Sequence, residues 1–63
     1  MDIKEKVINE IELNLMYLIS IKDDLNLFYY YKHRITGMID LAHCIGIITD
    51  DQTIHYYSRL SLI

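Results

Sequence analysis

Apolar residues recur along this chain at alternating intervals of four and three. Val7, Ile11, Asn14, Leu18, Ile21, Leu25, Phe28, Lys32, Ile35, Ile39 and Ala42 form one such series, and only Asn14 and Lys32 break its apolar character. That spacing puts the series on one face of a helix, in the manner of a heptad stripe that packs helix on helix. Ile8, Leu15, Tyr31, Met38 and Ile45 flank it. The apolar face is therefore wider than a two-stranded seam and suits a bundle. The residues assigned to core and dimer packing are Leu18, Ile21, Leu25, Phe28, Tyr31, Ile35 and Ile39.

The only candidate interruption is Ser20 to Asp24, S-I-K-D-D. Ser20 followed by Asp23 resembles a capping box, and Asp23 or Asp24 fits an N-cap. Against a turn, the segment holds no glycine or proline, and the stripe keeps its phase across it. Two readings stand: helices over about 3–20 and 24–45, or one long, bent helix over 3–45. The end of this region is better marked. Gly46 after Ile45, with Ile47 next, is the glycine signature of a helix C-terminus. Thr49-Asp50-Asp51-Gln52 then reads as a capping box, with acidic residues at the positive end of the helix dipole. A last helix over about 50–61 is predicted, with Ile54, Tyr57 and either Leu60 or Ser61 on its apolar side. The short link folds it back antiparallel on its predecessor. The expected fold is all-α: a small helical bundle with a long or broken N-terminal helix and a short fold-back C-terminal helix.

Composition adds oligomerisation to this picture. Sixty-three residues make one domain, 1–63, and a hydrophobic share of 52% exceeds what so small an interior hides. One cysteine, Cys44, permits no internal disulfide. Small scaffolds of this kind are completed by a metal or by association. We therefore expect a homodimer. The start M-D-I-K-E-K-V has no signal-peptide pattern, and Leu15–Ile21 is far shorter than the roughly 20 residues that span a bilayer. A cytoplasmic protein without a membrane segment is the expectation.

Candidate chemistry is sparse. His33, His43 and His55 are scattered, without the spacing that gives a metal two ligands from one helix face. His43 sits in the last turn before Gly46, where a helix C-terminus favours a cation, with Asp40 three residues earlier. Cys44 beside it reads as a small hydrophobe rather than a nucleophile. Asp23–Asp24 and Asp50–Asp51 are explained by capping. No metal, no cofactor and no enzymatic activity are expected. Gly37 stands alone in a helical pattern, either at a close helix approach or at a neutral exposed position.

The stretch Leu27–Gly37, L-F-Y-Y-Y-K-H-R-I-T-G, concentrates aromatics and cations. Net charge is −3, yet residues 25–39 carry +2, with no acidic residue among them. Successive helical positions point about 100° apart. Phe28 and Tyr31 therefore go to the apolar face, and Tyr29, Tyr30, His33 and Arg34 to an outer surface where Tyr30 and Arg34 stack. Exposed tyrosine and arginine are the residue types of protein–protein hot spots. Either these tyrosines cover the dimer seam and Arg34 pairs with a carboxylate, or the outer group is the candidate partner surface, extended by Tyr56, Tyr57 and Arg59 of the last helix. The alternative is a small DNA-binding regulator using residues 28–34, with rings stacking on bases and cations meeting phosphates. Two formal charges per chain make such binding weak and salt-sensitive. Lys32, in the apolar stripe, fixes register, snorkels out, or marks where the stripe bends away.

In length, and in a tyrosine-rich, acidic, helical chain beginning M-D-I-K-E-K-V-I-N-E-I-E-L, the protein resembles the small helical accessory proteins that lambdoid bacteriophages encode between exonuclease and excisionase genes. That resemblance implies an early phage protein in the bacterial host cytoplasm. It would bias the lysis–lysogeny choice as a regulatory dimer that binds host or phage proteins. It assigns no role to any particular residue.

Overall fold

The computed structural model describes residues 2–63, and they form three α-helices: α1 (Ile3–Ser20), α2 (Leu25–Cys44) and α3 (Asp50–Ser61). The break at residues 21–24 resolves the first ambiguity in favour of two helices. Ser20 does not cap α2. Its hydroxyl donates backward to the Tyr17 carbonyl (2.6 Å), and Asp24 is the N-cap, accepting from the Leu27 amide (3.2 Å). The turn itself is closed by the Asp24 amide donating to the Ile21 carbonyl. The stripe kept its phase because a link of about four residues is close to one 3.6-residue helical turn. Heptad spacing alone cannot see such a link.

Capping sets the other ends. Asp2 accepts from the Glu5 amide (2.8 Å) and starts α1. At the end of α2 the Ile47 amide reaches the Ala42 carbonyl (2.8 Å) and the Gly46 amide reaches the His43 carbonyl (3.1 Å). This is the Schellman arrangement, and Gly46 adopts the left-handed φ of 78° that it requires. Thr49 and Gln52 satisfy each other's backbone amides (2.8 and 3.1 Å) in the predicted capping box.

The helices run antiparallel in sequence order. α2 packs against both α1 and α3. Ile11, Leu15 and Leu18 of α1 meet Phe28, Ile35, Ile39 and Ala42 of α2 in a core completed by Ile48, Tyr56 and Leu60. Ile21 and Tyr31 are half-buried against it. Leu25 is not part of this core. It is 64% exposed, because it is the first residue of α2 and precedes the point where that helix reaches α1. The buried side of α3 is also rotated from the expected one. Ile54 is 64% exposed, while Tyr56 and Leu60 are buried and Tyr57 is half-buried. The stripe Thr53–Tyr56–Leu60–Ile63 meets the core over the whole helix, whereas the one through Ile54 runs out at Ser58 and Ser61.

Two polar residues in the α1–α2 stripe are accommodated at its edge. The Asn14 amide donates to the Glu10 carbonyl (2.7 Å). Lys32 snorkels: its stem is half-buried and its ammonium lies 5.5 Å from the centroid of the Phe28 ring. Gly37 is exposed, and a Cβ built there meets nothing within 4 Å. Gly37→Ala should therefore stabilise the chain by about 1 kcal/mol, the helix-propensity difference. Thermal denaturation followed by circular dichroism would show this as a higher midpoint.

Candidate functional site

Two flanks of the α1–α2 hairpin differ in what covers them. α3 occupies one. There Arg59 donates to Glu12 of α1 (2.6 Å), and His43 of α2 contacts Asp50. The opposite flank is open. Along α1 it carries Ile3, Val7, Glu10, Asn14 and Tyr17, at intervals of four and three. Along α2 it carries Leu27, Tyr31, Arg34, Met38, Leu41 and Ile45, again at four and three. Contacts confirm that these two rows border each other. The Tyr17 and Tyr31 rings pack edge to face with centroids 4.9 Å apart. Toward the other end, Ile3, Val7, Glu10, Met38, Leu41 and Ile45 line a groove of about 380 Å³.

The tyrosine end of this flank is a chain of rings. Tyr30 packs on Tyr31 at 5.1 Å, Tyr31 on Tyr17, and the Arg34 guanidinium lies 5.7 Å from the Tyr31 centroid. Arg34 thus stacks on Tyr31, three residues back, rather than on Tyr30. Tyr31 is half-buried and held edge to face by Tyr17 of α1, so it offers the better platform. Tyr17, which the periodicity does not single out, belongs to this cluster. The hairpin fold about residues 21–24 is what brings it opposite Tyr31.

The four candidate partner residues are all exposed, but they do not form one surface. Tyr30 and Arg34, four apart, share the open flank. Tyr29 and His33, also four apart, share a side about 100° further round α2. Tyr29 packs on the Phe28 ring at 5.6 Å. Lys32, His33 and Arg34 likewise point in three directions, so the cationic stretch makes no basic stripe.

Of the proposed extensions from α3, Tyr56 is buried and Arg59 is engaged. Arg59 lies over the Tyr56 ring (5.8 Å) while bonded to Glu12. The Arg59 hydrogen bond holds the Glu12 carboxyl below the usual carboxylate range, with the Tyr56 hydroxyl adding in the same direction. Burial pushes the Tyr56 phenol up. This group ties α3 to α1 and faces away from the open flank. Because Glu12 titrates lower when folded, the link contributes fully above the unfolded carboxylate range and is lost as pH falls through the lowered value. Both side chains are more than a third exposed (39% for Glu12, 36% for Arg59), so the coupling is small, about 0.5–1 kcal/mol. A double-mutant cycle with Glu12→Gln and Arg59→Gln should give that coupling at neutral pH and progressively less of it as the pH is lowered through the acid range.

The chemistry of the described residues ends there. No group of three or more His, Cys, Asp or Glu side chains is placed to hold a metal ion. No helix among the described residues is long and apolar enough to cross a membrane. Cys44 is exposed, with a free thiol. No family model matches the chain, and no curated protein or solved structure matches it either.

Proposed function

We propose that this chain is a small non-enzymatic regulatory interaction protein that works as a homodimer and binds a larger host or phage protein. One observation carries the reading. Among the described residues ten apolar ones form the core, while thirteen large apolar side chains remain exposed, so more of them face water than are buried. Several of the thirteen line one continuous flank, and contiguous apolar surface of this kind marks an interface. The exposed tyrosines and arginine, Tyr29, Tyr30 and Arg34 with His33, supply the residue types that anchor protein partners. The setting, an early phage product that influences lytic versus lysogenic development, comes from the resemblance in length and N-terminal run alone.

Affinity capture from bacterial lysate tests the partner. Tyr29→Ala and Tyr30→Ala should lose a protein that the wild-type chain and Ile54→Ala both retain. Equal capture by all four would discredit this surface. Sedimentation tests the dimer, and a clean 7.5 kDa species throughout the micromolar range would overturn it.

A further inference from the structure

We infer that the open flank of the α1–α2 hairpin is the self-association face, and that a second copy of this chain seats on it about a two-fold axis running along the helices. The inference rests on the homodimer proposed above and says where it forms and what holds it.

The first argument is charge. The flank carries three ionic side chains, Lys6, Glu10 and Arg34, and none has an ion-pair partner among the described residues. The whole chain is acidic at −3, but the flank holds only one of its carboxylates, Glu10, beside two cations, so most of the negative charge lies off this face and the charge complementarity across it comes from opposite charges on the two copies. The axis along the helices lays α1 of each copy over α2 of the other. Tyr17 lies level with Tyr31, and Ile3 with Ile45, so Glu10 is about level with Met38 and within one turn of Arg34. Glu10 of each copy then comes within reach of Arg34 of the other, and symmetry makes two such pairs.

The second argument is area. From Leu27 to Ile45 the flank is about 27 Å long at 1.5 Å per residue. Two helices packed 8–10 Å apart present a width of about 20 Å. The footprint is about 500 Å² per copy, or about 1,000 Å² for the pair, which reaches the lower bound for a specific interface. Exposed Leu41 and Ile45 beside the groove supply apolar contact toward one end. Such a dimer is of modest, micromolar strength. Seated this way, the second copy covers Tyr31 and Arg34. It takes Arg34 out of the partner surface and leaves Tyr30, at the rim of the flank, and Tyr29 and His33, on the next side of α2, open to a different protein.

Sedimentation equilibrium on the whole chain tests this, over concentrations from about 1 to 500 µM. Leu41→Glu, at an exposed position outside the core, should weaken the dimer more than 10-fold while leaving the helical circular dichroism unchanged. Ile54→Glu, exposed on α3, should leave the dimer as it is. Glu10→Arg and Arg34→Glu should each weaken it, and an equimolar mixture of these two variants should associate more tightly than either alone. A dimer that Leu41→Glu leaves intact overturns the face but keeps the homodimer. A mixture no tighter than its components overturns the Glu10–Arg34 pairing. A wild-type chain monomeric across the whole range overturns both the face and the homodimer.

Discussion

Ile35→Ala is expected to remove most of the stability of this chain. Ile35 is fully buried in the one core to which α1, α2 and α3 all contribute, together with Ile11, Leu18 and Ile39. Truncating a buried isoleucine costs about 2–5 kcal/mol, the lost transfer energy plus the cavity left behind. A domain of this size has only about 3–9 kcal/mol in total, at 0.05–0.15 kcal/mol per residue. The thermal midpoint should therefore fall by more than about 10 °C, with much of the helical signal gone at 37 °C. Ile54→Ala is the matched control. It removes the same atoms from an exposed site and should stay within about 0.5 kcal/mol of wild type. Equal effects at the two positions would refute the packing described for α2 and α3.

The second large effect is expected at Gly46, for a reason unrelated to packing. A Cβ added there meets nothing within 4 Å, so the space is free. The backbone is not: φ is 78°, in the left-handed region. An ordinary L-residue pays about 1–2 kcal/mol in that conformation, and a β-branched one more. Costs in chemical denaturation should rise in the order Gly46→Asn, Gly46→Ala, Gly46→Val, because asparagine tolerates the left-handed region best. If valine escapes the strain by shifting the backbone, the amides of Gly46 and Ile47 lose the His43 and Ala42 carbonyls, and the α2–α3 corner loosens. Gly37 provides the contrast. It has open space and no positive φ, and there alanine should help.

Local signals made most of the architecture legible. Gly46 and the Thr49–Gln52 box announce their geometry within four residues, and the structure shows both as the residues imply. The period of the α1–α2 stripe named Leu18, Phe28, Ile35 and Ile39, all buried. The failures share a cause: they depend on how one helix is turned against another. Ile54 looks the better core residue in isolation, but α3 is turned so that Tyr56 and Leu60 enter the core instead. The turn at 21–24 hid because its length matches a helical turn. Tyr29, Tyr30, His33 and Arg34 are adjacent in sequence, and helical rotation divides them between two sides of α2. The groove at Ile3, Met38 and Leu41 joins residues far apart in the chain, so no window along the sequence displays it.

The order in which the helices pack has a consequence for how fast the chain folds. α2 is the central element, and each of its neighbours is the next helix in sequence, joined by a short link. Forming the core closes only small loops, so little chain entropy is lost before contacts repay it. Helical domains with such local topology fold in microseconds to milliseconds. The chain has no proline, so slow prolyl isomerisation phases have no source here. A monomer that assembles so quickly makes any slower, concentration-dependent phase in refolding a direct clock for two copies finding each other.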